Sequence, residues 1–333
     1  QIPMSRLGLL VLGIGLIAWA SSVPTTTKSS EPVVPSVTLQ NAARPNTLMP
    51  VTGLGTGAYI NGGFSTNASA EASTLLWLQA GGRRLDCSLN YKDQVGIGRA
   101  LAKGLVPRHE LFITSKVGPT DPLGFNDTLV QFKAILETLQ TDYVDLLLMH
   151  WPGVRAGQLF NSTDPACQGD KMSSRECRQS TWKALELIYY DGGARAIGVS
   201  NFEEHHVQDI LDMGGLIPAV NQFEFHPYWH EDALVSFCQA HNIVVNAYSP
   251  LGARDVSMTE YHWDILNDTA IVAVAAAHGI PPAQAVLQWI HQQGIVTNPR
   301  THVIEHMQEN LGLYSLGINL TEAEMASIAA APP

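Results

Sequence analysis

A chain of 333 residues with 45% hydrophobic and 15% charged residues holds enough apolar material for one large core, which excludes a disordered or fibrous protein. Its 19 Lys+Arg against 30 Asp+Glu give a formal net charge of −11, so the basic footprint that nucleic-acid binding needs is missing. Cys87, Cys167, Cys177 and Cys238 are too few for a disulfide scaffold, and no C-x-x-C or H-E-x-x-H spacing offers zinc a site.

At the N-terminus, Arg6 precedes a weakly polar to apolar run from Leu7 to Ala20 that ends on Ala18-Trp19-Ala20. This is the pattern of a signal peptide, assigned to residues 1–20. An uncleaved anchor is the alternative, and the only route to a membrane, because the run is shorter than the ~20 residues of a spanning helix. Residues 21–48, rich in Ser, Thr, Pro and Val, read as a linker without a periodic face. Five N-x-S/T sequons begin at Asn67, Asn126, Asn161, Asn267 and Asn319 and lean toward a glycoprotein on the secretory route. Asn126 and Asn267, each in Asn-Asp-Thr before an apolar stretch, also read as helix N-cap signals. The expected location is the endoplasmic reticulum lumen or the exterior, with membrane anchoring or a plastid as alternatives.

From Pro50 onward short β-branched or apolar runs alternate with helical patterns. Strands are expected at residues 50–54, 83–88, 110–117, 144–151, 195–201, 219–225, 242–249 and 294–300. Helices are expected between and after them at 70–79, 94–103, 129–141, 182–191, 203–213, 231–240, 268–278, 282–292 and near 303–311. Eight strand-then-helix units over residues 49–333 predict an α/β fold, a (β/α)8 TIM barrel with its active site at the C-terminal ends of the strands. Gly53, Gly55 and Gly57 lack the spacing of the Rossmann G-x-G-x-x-G.

Such a barrel directs attention to polar residues late in the strands. Asp86 comes late in the second expected strand with Tyr91 five residues on, Lys116 closes the third and His150 the fourth. A phenol with an ordinary pKa near 10 is a poor proton donor at neutral pH unless a cation favours its phenolate. Lys116 supplies that charge, Asp86 holds Lys116 ionised, and His150 polarises a substrate oxygen. Each residue alone has an ordinary structural role. Their convergence on three consecutive strand ends points to protonation of a carbonyl oxygen as hydride reaches its carbon.

These residues resemble the aldo-keto reductase family. Gly81-Gly-Arg-Arg-Leu-Asp-Cys-Ser88 with Tyr91 and Gly98 is similar to its first signature, and Arg195-Ala-Ile-Gly-Val-Ser-Asn-Phe202 to its second. Asn221-Gln-Phe-Glu-Phe-His-Pro-Tyr228 and Ala247-Tyr-Ser-Pro-Leu-Gly252 also match, and the similarity runs from Met49 to about Ser327. The resemblance implies reduction of aldehydes or ketones with Tyr91 as general acid, Lys116 and Asp86 tuning it and His150 orienting the carbonyl. It implies NADPH bound across the barrel mouth. Tyr248 would stack on the nicotinamide, with Ser200, Asn201 and Gln222 at its carboxamide, Thr56 by the ribose, and Ser249 and Leu251 along the pyrophosphate. Trp151 and Tyr59 would meet the small-molecule carbonyl substrate.

Departures gather at the adenosine end, where Pro299-Arg300-Thr301 and His306 replace the usual Pro-Lys-Ser and Arg. Arg300 keeps a cation suited to a 2′-phosphate and Thr301 a hydroxyl, while His306 is mostly neutral. NADPH is therefore expected over NADH by a narrower margin, with Glu309 and Asn310 at the adenine. Gly57 stands where Trp is common, Gly82 lacks the usual aromatic and Gln94 replaces a usual Glu. With an end at Pro333 in place of a long C-terminal loop, this implies an open mouth and broad carbonyl specificity. Cys167 and Cys177 pair as a disulfide if the chain enters an oxidising compartment, or stay free thiols otherwise. Two other functions compete: a nicotinamide-binding redox sensor or regulatory barrel, and a glycoside hydrolase using Asp86 and Glu224.

Overall fold

The computed structural model describes residues 34–42, 47–57, 64–118, 121–153, 175–252 and 264–331. The expected signal segment 1–20, Tyr59, Asn161 and Cys167 lie outside them. Eight parallel strands follow one another in chain order around a single sheet: β3 (Leu54–Gly55), β4 (Arg84–Asp86), β5 (Phe112–Val117), β6 (Val144–Met149), β7 (Ala194–Ser200), β8 (Val220–Glu224), β9 (Val244–Tyr248) and β10 (Val296–Asn298). The ring closes where Thr52 bridges Thr297, with Gly53 N–H donating to Thr297 O at 2.9 Å and Gly55 N–H to Pro299 O at 3.1 Å. A Cβ at Gly55 would stand 2.8 Å from Asn298 O, so glycine is required for that approach. The expected (β/α)8 barrel is the fold.

The surrounding helices are α1 (Asn67–Gln79), α2 (Gln94–Ala102), α3 (Phe125–Leu139), α4 (Arg175–Tyr190), α5 (Glu204–Leu211), α6 (Asp232–Ala240), α7 (Thr269–His278), α8 (Pro282–His291), α9 (Ile304–Gly312) and α10 (Glu322–Ala329). Their inner faces meet the outer faces of the strands in one apolar shell that includes Trp77, Trp182, Leu185, Val245 and Ile290. Burying each such side chain stabilises the fold by roughly 1.5–3 kcal/mol. Two expected N-caps fall elsewhere: Asp268, not Asn267, accepts from Ala270 N and Ile271 N at the start of α7, and Gly124 precedes α3. A carboxylate beside the orphan N–H groups outcompetes the amide one residue earlier. Among the described residues no single helix is long and apolar enough to cross a membrane.

The described part of the expected linker is not a linker. Ser36–Thr38 (β1) and Leu48–Pro50 (β2) pair antiparallel, so Pro50 belongs to this hairpin and the first barrel strand begins later than expected. Leu39 and Met49 are fully buried against Phe112, Leu146, Leu148, Ala196 and Val220, which fill the barrel interior. Asn41 Nδ2 donates to Pro218 O and His241 O at 3.1 and 3.0 Å. Three-residue strands are too short to show a period of two, which is why composition alone read as linker.

Candidate active site

The chain turns sharply at the C-terminal ends of three neighbouring strands. Asp86 is the last residue of β4; Tyr91 ends the 3-10 turn Leu89–Tyr91, which Lys92 closes in the left-handed region at φ 62°. Lys116 lies in β5 and His150 follows β6. Lys116 Nζ donates to Asp86 Oδ1, to Cys87 O at 3.1 Å and to the Tyr91 hydroxyl at 3.5 Å. The Tyr91 hydroxyl also lies 3.4 Å from His150 Nε2, with the two rings edge to face. Lys116 and His150 therefore meet at the Tyr91 phenol oxygen, and Asp86 reaches it through Lys116.

Lys116 is wholly buried and Asp86 nearly so, so each charge depends on the other to offset lost hydration. Asp86 Oδ2 accepts from Gln222 Nε2 at 2.6 Å, and Thr56 Oγ1 donates to Asp86 O at 3.1 Å. Burial, helped by the Lys116 charge, holds the His150 pKa well below the usual imidazole range, so its ring is neutral with one donor and one acceptor nitrogen. Its Nδ1 lies 3.2 Å from Ser88 Oγ. The sequence reading missed Ser88, although it sits inside the first signature.

Next to this group β7 and β9 end in two residues with left-handed backbone, Asn201 at φ 60° and Ser249 at φ 46°. Such conformations are costly for non-glycine residues and persist where surroundings fix them. Asn201 Nδ2 donates to His150 O at 2.9 Å and to Ser200 Oγ at 3.2 Å, while its Oδ1 accepts from the Tyr248 hydroxyl at 2.8 Å. Ser200 Oγ donates to Gln222 O at 2.7 Å. Four of the expected nicotinamide contacts, Ser200, Asn201, Gln222 and Tyr248, thus form one connected network, although Gln222 directs an amide proton to Asp86. Leu251 packs half-buried on the outer core.

The adenosine end is more open. Arg300 is exposed and donates from Nη1 to Gly57 O at 2.8 Å. Thr301 Oγ1 accepts from Val303 N at 3.1 Å and lies 3.4 Å from His306 Nδ1, so Arg300 and Thr301 stand at the N-terminus of α9, where the helix dipole favours an anion. His306 is exposed, Glu309 half-buried with its carbonyl accepting from Gln284, and Asn310 buried.

The departures have physical counterparts. A Cβ at Gly57 would come within 2.9 Å of Tyr91 Cζ, so glycine lets the backbone lie against the catalytic ring. The space beside Gly82 is filled by the Trp77 indole, whose Nε1 donates to Arg84 O at 2.9 Å. Gln94 donates to Ser115 Oγ at 2.6 Å and accepts from Thr138 Oγ1 at 3.0 Å, roles that need an amide. Trp151 is 37% exposed at the end of the fourth unit. Cys87 and Cys238 are buried free thiols and Cys177 is disulfide-bonded.

The site residues suit a nicotinamide dinucleotide: hydroxyl and amide groups fixed at one end, and a guanidinium with a helix N-terminus at the other. Comparison with known proteins agrees with the fold. The model of the aldo/keto reductase family matches residues 52–332. A 9,11-endoperoxide prostaglandin H2 reductase of Trypanosoma cruzi is 35% identical, covering 88% of this chain and 89% of its own length. A glyoxal reductase of Bacillus subtilis is 34% identical, covering 84% and 88%. The crystal structure of an aldo/keto reductase from Brucella melitensis superposes with a TM-score of 0.74 at 28% identity, over 89% of this chain and 99% of that one. With its barrel, its polar strand ends and its signatures accounted for over most of its length, the chain belongs to the aldo/keto reductase family.

Proposed function

We propose that the protein is an NADPH-dependent reductase of aldehydes and ketones in which Tyr91 is the general acid. The observation that carries this reading is the convergence of Lys116 and His150 on the Tyr91 hydroxyl, with Lys116 held by a buried Asp86. NADPH, when bound, supplies the hydride. Tyr91 gives its proton to the carbonyl oxygen, and the phenolate left behind faces the Lys116 ammonium, which lowers the cost of losing that proton. Asp86 keeps Lys116 charged and aimed, its second oxygen fixed by Gln222. Neutral His150 offers a hydrogen bond to the substrate oxygen without competing for the proton.

Ser200, Asn201 and Tyr248 would hold the nicotinamide, Thr56 the adjoining ribose, and Ser249 and Leu251 the pyrophosphate. Arg300 and Thr301, with His306, would take the 2′-phosphate, and Glu309 and Asn310 the adenine. The name of the glyoxal reductase supports a small carbonyl substrate, and the exposed Trp151 supports a mouth open to several of them. The test is loss of NADPH absorbance on adding an aromatic aldehyde, glyoxal or a ketone, repeated with NADH. Turnover faster with NADPH supports the reading. Tight NADPH binding with no carbonyl reduced across the panel would favour the regulatory barrel.

A further inference from the structure

Asp93 sits two residues beyond Tyr91, at the N-cap position of α2, and is 1% exposed. Its side chain makes no capping bond; Gly96 N and Ile97 N donate instead to its backbone carbonyl at 3.0 and 3.1 Å. Neither carboxyl oxygen has a hydrogen-bond partner among the described residues. A buried carboxylate in that condition is costly, whereas a carboxylic acid carries no charge and brings a donor of its own. The Thr56 hydroxyl lies alongside. It reaches Asp86 O at 3.1 Å, an oxygen that Thr56 N–H already serves at 3.0 Å, so the hydroxyl offers Asp93 one weak contact in place of a full set of donors.

We infer that Asp93 is a positioning residue of the acid–base site, present as a neutral acid that spares Lys116 a second carboxylate. The charged groups around it are Lys116 on β5 and Asp86 on β4, with the Cys87 thiol beside them. Lys116 is already bonded to Asp86, so it is not free to match a second carboxylate at Asp93. Burial, partly opposed by Thr56 and Lys116, pushes the Asp93 pKa up to about 7. His150 is already neutral and contributes no ionisation in that range. When Asp93 ionises, its charge opposes the phenolate that forms on Tyr91 as the proton leaves, so reduction slows.

The kinetic arm rests on the reductase reading; the stability arm does not. Wild type and Asp93→Asn are compared across pH 5 to 8 by thermal unfolding and by the pH profile of kcat for carbonyl reduction. The folded state keeps the Asp93 proton to about pH 7 while the unfolded chain releases it near pH 4, so wild type loses stability relative to the variant as pH rises through that window. The Tm advantage of Asp93→Asn should grow by roughly 5 °C between pH 5 and pH 7 and then level off. Wild-type kcat should fall by roughly threefold to tenfold across pH 7, a step absent from the variant. Asp93→Ser, also uncharged, should reproduce both differences if the amide packs poorly. Tm curves that run parallel overturn the neutral acid. Divergent Tm curves with superimposable kcat profiles overturn the positioning role. If neither protein reduces any carbonyl, the reductase reading fails and the positioning role falls with it, while the Tm curves still decide the charge on Asp93.

Discussion

Where the nicotinamide is proposed to bind, Ser200, Asn201, Gln222 and Tyr248 hold one another and reach Asp86 and His150 through buried or half-buried hydrogen bonds. At the adenosine end, Arg300 and His306 are exposed, and Arg300 is held to Gly57 O at the rim. The first end is preorganised by the strands themselves, so its polar groups need little reorganisation when charge develops. The second depends on side chains that salt screens and that can exchange Lys for Arg, or Arg for His, without disturbing the barrel. Under the proposed function, chemistry is fixed by the fold, while cofactor discrimination is adjustable at the surface.

Substitutions at the two ends should differ in kind. Lys116→Met is expected to have the largest effect: it strands the Asp86 carboxylate in the interior, costing about 3–5 kcal/mol in denaturant unfolding. The same change should lower kcat by about a thousandfold. Asn201→Ala comes next, since it deletes bonds to His150 O, Ser200 Oγ and the Tyr248 hydroxyl and leaves a left-handed backbone on alanine. A loss of about 2 kcal/mol in stability is expected, with NADPH binding weakened about tenfold by fluorescence titration. Arg300→Ala should be the mildest, raising the Kd for NADPH by about tenfold, with NADH unaffected and the difference shrinking at high salt. A large stability loss from Arg300→Ala, or none from Asn201→Ala, would erase the contrast between the ends.

How far this was legible in the sequence depended on periodicity and on partners. Asp86, Lys116 and His150 could be placed because each comes late in an expected strand, and a barrel puts the C-terminal ends of its strands on one face. The hairpin holding Leu39 and Met49 could not, because its strands are three residues long and its purpose is to plug an interior that the sequence does not display. Gln222 was legible as a cofactor contact but not as the second partner of Asp86, a bond that joins β8 to β4 across the barrel. Trp77 filling the place beside Gly82 was hidden for a similar reason: the missing aromatic is supplied by the preceding helix. Asp93 holds the position just before a helix, the ordinary place of a cap, and only its burial and the lack of a side-chain capping bond set it apart.

The central claim, that the Tyr91 phenol delivers the proton at a site the fold has already arranged, is tested most directly with Tyr91→Phe. Removing one hydroxyl oxygen should leave NADPH affinity within about twofold while single-turnover reduction of an aromatic aldehyde falls by about a thousandfold or more. Turnover close to that of wild type, with NADPH binding intact, would contradict it.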